Sequence, residues 1–91
     1  MEIKDEHMAK LLLVYASEGT TLVCTDQDHY KFWNIVYNND EGTVVTTWGR
    51  IGYNIQSSKK SQQPDPQYTA RNLINSKLKK GYEIFSQNQR N

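Results

Sequence analysis

Two runs of the chain decide its fold: Tyr30-Lys31-Phe32-Trp33-Asn34-Ile35-Val36-Tyr37 and Thr43-Val44-Val45-Thr46-Thr47-Trp48-Gly49-Arg50-Ile51, separated by Asn38-Asn39-Asp40-Glu41-Gly42. Both runs are rich in the aromatic and β-branched residues that suit a pleated surface, and the five residues between them are turn formers. A loop that short makes the flanking strands antiparallel neighbours. Side chains alternate across a strand, so Trp33, Ile35 and Tyr37 share one face of the first, and Val44, Thr46, Trp48 and Arg50 share one face of the second. Trp48 and Arg50 then stand side by side, the spacing at which a flat aromatic surface and a cation can act on one ligand.

Towards the N-terminus, Lys10–Ala16 and Thr20–Thr25 are apolar and β-favouring, and Ser17-Glu18-Gly19 between them predicts another hairpin. Met1–Ala9 is polar and aperiodic and reads as a disordered leader or tag remnant. Towards the C-terminus, Gly52-Tyr53-Asn54 reads as a turn, and Ile55–Ser61 as a short basic strand at a sheet edge, where lysines discourage unwanted pairing. Gln62–Pro66 is a connector that opens a helix. Asp65 suits the N-cap, and Pro66 suits the first helical position because its missing amide proton would go unpaired there. Ala70, Leu73, Ile74 and Leu78 recur with helical spacing. Lys77, Lys79 and Lys80 complement the helix dipole, and Gly81 supplies a left-handed C-cap. Residues 82–85 add an extended segment, and 86–91 form a flexible polar tail. The expected architecture is α+β, one helix packed on an antiparallel sheet, with the domain spanning residues 10–85.

Ninety-one residues allow one small core, and a hydrophobic fraction of 36% is low, but two tryptophans, six tyrosines and two phenylalanines bury large areas each. The longest apolar run, Leu11–Tyr15, is far short of a membrane span, and no secretory signal opens the chain. The lone Cys24 has no partner for a disulfide or a structural zinc, which fits a reducing compartment. Net charge is +1 but unevenly placed. Residues 1–41 hold three basic against eight acidic residues, a balance of −5, and residues 42–91 hold eight against two, a balance of +6. Such asymmetry either attracts a polyanion or simply solvates a face.

Tyr30-Lys31-Phe32-Trp33, the turn at Asn38–Gly42, Thr47-Trp48-Gly49-Arg50-Ile51-Gly52, Gln56 and a terminal helix closing on Lys79-Lys80-Gly81-Tyr82 together resemble the WGR domain over roughly residues 10–84. The resemblance implies about five antiparallel strands with one helix packed on them. In DNA-damage-responsive poly(ADP-ribose) polymerases a similar domain contacts broken DNA near a 5′ phosphate and relays that contact to neighbouring domains. Carried over, Trp48 would stack on a terminal sugar or base, and Arg50 would bind phosphate or a partner domain. Stand-alone bacterial versions also resemble this chain, so it would act in the bacterial cytoplasm or nucleoid, or in the nucleus if it is cut from a eukaryotic protein. One departure stands out. Ile55 occupies the position before Gln56 where the family often has glycine, and Asn54 is expected to take over the positive φ.

The residues themselves leave alternatives open. Trp48 is either a core tryptophan or a stacking surface. Arg50 either grips phosphate or pairs with Asp28 or Asp40. Gly49 allows close backbone approach. Lys31 and Tyr30, on the strand before the motif, are candidate nucleic-acid contacts. Lys59 and Lys60, on the edge strand, either contact phosphate or protect the edge, and Lys77, Lys79 and Lys80 are explained by helix termination, with a nucleic-acid role as the lesser alternative. Gly52 and Gly81 serve turns. His29 has no second ligand nearby, and Asp26 with Asp28 reads as an acidic turn rather than an acid/base dyad. No enzyme, metal or cofactor is expected. The expected function is a monomeric, non-catalytic module that binds DNA backbone or strand ends. The alternative is a protein-interaction or relay domain using the same Trp/Arg face, favoured if the basic surface lies away from Trp48.

Overall fold

Asn38 closes the deciding hairpin. Its side-chain carbonyl accepts hydrogen bonds from the amides of Asp40 (2.9 Å) and Glu41 (3.1 Å), its backbone carbonyl accepts from Gly42 N (2.9 Å), and Gly42 takes φ +67°. That Asx-type turn leaves four residues in the loop and fixes the register of β2 (Lys31–Asn38) against β3 (Thr43–Arg50), with Asn38 opposite Thr43 and Lys31 opposite Arg50. The computed structural model describes residues 19–25, 30–50 and 53–88.

Around this hairpin the described residues form a five-stranded antiparallel sheet in the order β4-β3-β2-β1-β5, with β1 at Gly19–Cys24, β4 at Ile55–Lys60 and β5 at Glu83–Asn88. The α+β reading holds, as does β4 as an edge strand. All six β4 residues are exposed. The expected strand Lys10–Ala16 lies outside the described residues, as do the acidic turn 26–28, His29 and Gly52. The last extended segment corrects the sequence reading. It runs over Glu83–Asn88 and takes Ser86, Gln87 and Asn88, assigned to the flexible tail, into register with β1 across a bulge at Thr21/Leu22. Polar side chains hid this strand, because its order comes from the ladder with β1 and not from its own composition.

The helix α1 (Pro66–Lys79) begins as expected: Asp65 accepts a hydrogen bond from Tyr68 N at 3.1 Å, and Pro66 follows it. It ends in a Schellman turn, with Gly81 at φ +97°, Gly81 N bonded to Leu78 O and Tyr82 N to Lys77 O. Ala70, Leu73 and Ile74 face the sheet and join Leu22, Trp33, Ile35 and Val44 in one core. Leu78 does not complete that stripe. It is 38% exposed, and Lys77, one residue earlier, turns inward in its place. Between β4 and α1, Gln62 adopts φ +56°, Gln63 N bonds Gly42 O, and Thr69 Oγ1 donates to Gln63 Oε1, which ties the connector to both hairpin and helix.

Candidate functional site

The hairpin register builds the site. With the loop fixed at four residues, Trp33 falls directly opposite Trp48, and Gln56 of β4 lies beyond Trp48 in the same row. Rows on this face then run Lys31/Arg50, Trp33/Trp48/Gln56, Ile35/Thr46/Ser58 and Tyr37/Val44/Lys60. Helix α1 covers the β2 side of these rows and leaves the β4 side open. A groove of about 270 Å³ remains between them, lined by Trp33, Thr46, Trp48, Ser58, Lys60, Leu73 and Lys77.

Trp48 therefore answers to both readings made of it. It packs against the core, yet it is only half-buried and lines the groove. Arg50, one row further on, is exposed, and its guanidinium sits 4.9 Å from the centre of the Tyr53 ring. Among the described residues it has no ion pair. Asp40 is at the opposite end of β3, roughly 23 Å away at about 3.3 Å per residue, and Asp28 is outside the described residues. Gly49 does what was expected: a Cβ there would lie 2.8 Å from the backbone oxygen of Asn54, so the chain after the motif folds back against it. Asn54 does not take the positive φ expected of it. Among the described non-glycine residues only Gln62 has one. Instead, Tyr53 N bonds Arg50 O at 2.9 Å, which holds the returning chain beside the end of β3.

The cations separate by face. Lys31, Arg50 and Lys60 lie on the helix-covered face with Trp48. Lys59 pairs with Val45 and lies on the other, so the structure does not bring it to the site. Tyr30 immediately precedes β2, is half-buried and does not line the groove. Sequence reasoning left three groups out of the site. Trp33 is one, and its pairing with Trp48 was recoverable by counting back from the turn. The other two are Lys77 and Tyr82. The Schellman turn at Gly81 folds Tyr82 back beside the end of the helix, where the ammonium groups of Lys31 and Lys77 each lie 5.5 Å from its ring centre. Lys77 is also 5.7 Å from the Trp33 ring.

This arrangement concentrates positive charge. Lys31 and Arg50 are directly opposed across the ladder, a like-charge pair that costs stability. Burial, and then the charges of Lys80 and Lys31, hold the Lys77 ammonium below the usual lysine range. No ion pair to a carboxylate offsets these charges among the described residues. Such a concentration of positive charge attracts an anion to this face. Among the described residues no cluster of three His, Cys, Asp or Glu side chains could hold a metal, Cys24 is buried and free, and no helix is long and apolar enough to cross a membrane.

Comparison with known proteins agrees with the architecture. The family model described as the WGR domain matches residues 19–89. A crystal structure of a protein from Bacteroides fragilis is similar, with TM-score 0.65 and 28% sequence identity over 74% of this chain and 19% of that one. The chain thus spans about a fifth of that protein's length. None of the curated proteins matches.

Proposed function

From the premise that this chain belongs to the WGR domain family, a family of nucleic-acid-binding modules, we propose that it is a non-catalytic domain that binds the DNA phosphate backbone at strand ends through the face carrying Trp48 and Arg50. The observation that supports this reading most is the segregation of charge. Lys31, Arg50, Lys60 and Lys77 stand on the face of Trp48, and no carboxylate neutralises them among the described residues. A basic surface away from Trp48 would have favoured protein docking. In this reading Arg50 presents its planar donors to phosphate, Trp48 offers a sugar or base an apolar platform, and Lys31, Lys60 and Lys77 fix the backbone. The domain acts inside the cell as a monomer, without cofactor, and the larger assemblies of its relatives would use it to position other domains.

Fluorescence anisotropy of a short labelled duplex, with and without a 5′ phosphate, tests the reading with wild-type protein and folded Trp48→Ala and Arg50→Ala variants. Weak, sequence-indifferent binding that needs both residues and strengthens with the terminal phosphate is expected. No binding of either duplex at low salt would refute it and would direct the search to a protein partner covering Trp48.

A further inference from the structure

Resting on the nucleic-acid reading, we propose that the groove between α1 and β4 is a subsite for one unpaired nucleotide, so that the domain distinguishes ends with an extruded or overhanging base from flush ones. The groove has the size and the chemistry for that occupant. At about 270 Å³ it falls just below the roughly 300–1,000 Å³ of pockets that enclose drug-sized molecules, and a base pair cannot enter it. Its apolar lining is Trp48, Leu73 and the nearly buried Trp33, and the half-buried Trp48 offers a flat face to one ring system.

Its polar groups are of two kinds. Lys77 stands on the helix wall, and Lys60 on the edge strand four residues along β3 from the row of Trp48. Two cations so placed can take the phosphates on either side of an inserted base. The other polar groups are the hydroxyls of Thr46 and Ser58, able to donate or accept, so they favour a base edge without selecting which base. Thr46 Oγ1 spends itself only on a long 3.5 Å bond to Ser58 O and remains available. A protein side chain could use the aromatic surface, but no described carboxylate matches the two ammonium groups, and a polyanion supplies that charge on every residue. The open β4 side lets a strand enter and leave without threading.

The experiment compares, by anisotropy with the full chain, one duplex ending flush and the same duplex carrying a one-nucleotide unpaired extension, both 5′-phosphorylated. The extension is expected to raise affinity about 5-fold or more, the gain of stacking one base on an aromatic ring, with little dependence on which base it is. In Ser58→Leu, which fills the groove from an exposed strand position, the ratio of extended to flush affinity is expected to fall to about one. Leu73→Phe, filling it from the helix, checks the same point. Equal binding of flush and extended duplexes by wild type overturns the inference and leaves the nucleic-acid reading standing. An advantage that survives both fillings overturns the assignment to this groove. Failure of both duplexes to bind removes the reading itself, and the inference with it.

Discussion

Salt dependence tests the face assignment most directly, because each cation that displaces a counterion from DNA contributes a known increment. Four cations, Lys31, Arg50, Lys60 and Lys77, share the face of Trp48. If all four meet phosphate, log K should fall against log salt with a slope of about −3.6, taking roughly −0.9 per contact on duplex DNA. Over a fourfold rise in salt, from about 50 to 200 mM, affinity should drop roughly 150-fold. Lys60→Gln should flatten the slope to about −2.7 and reduce the drop to roughly 40-fold. Lys59→Gln removes the same charge one residue earlier but from the opposite face, and it should leave the slope unchanged. Anisotropy titrations of a 5′-phosphorylated duplex at four or so salt concentrations measure all three slopes. A wild-type slope shallower than about −1 would refute the phosphate reading. Equal flattening by the two glutamine variants would show that charge acts as a diffuse field rather than through this face.

The remaining predictions concern how the site is held. Gly49→Ala forces a Cβ to 2.8 Å from the Asn54 carbonyl oxygen, so urea denaturation should show a loss of about 1–3 kcal/mol, with weakened DNA binding as the return after Arg50 is displaced. An unchanged midpoint would show that this approach is relaxed at no cost. Lys77→Met should raise the urea midpoint at pH 7, since burial and like charge disfavour the folded ammonium. Because the folded pKa lies below the unfolded one, the unfolded chain binds more protons between the two. Wild-type stability should therefore rise with pH across that window, and the advantage of the variant should shrink there; a constant difference would contradict the assigned cause. Asp65→Ala removes the acceptor for Tyr68 N and should cost about 1 kcal/mol by thermal or urea unfolding. A loss confined to a few tenths would mean that Pro66 and the connector contacts already hold the helix start.

The chain by itself determined a good deal. The period-two pattern flanking Asn38–Gly42 set the hairpin, the Asp65-Pro66 pair and Gly81 set both ends of the helix, and the lysines of β4 marked an edge. These are local properties, written in residues a few positions apart. It also placed Trp48 beside Arg50, because alternation along one strand needs no partner. What lay beyond it were relations between distant segments. Strand β5 is ordered by pairing with β1, sixty-odd residues away in sequence, and its polar composition gave no sign of it. Lys77 has an adequate local explanation in the helix dipole, yet the crossing of α1 over β2 turns it onto Trp33, and the Schellman turn sets Tyr82 beside it. Lys59 and Lys60 are equivalent in sequence, and only the pairing of β4 with β3 sends one towards Trp48 and the other away. A strand's own residues fix that its side chains alternate, but which side faces the groove depends on register with its neighbour and on where the helix lies, and those are settled only when the whole chain packs.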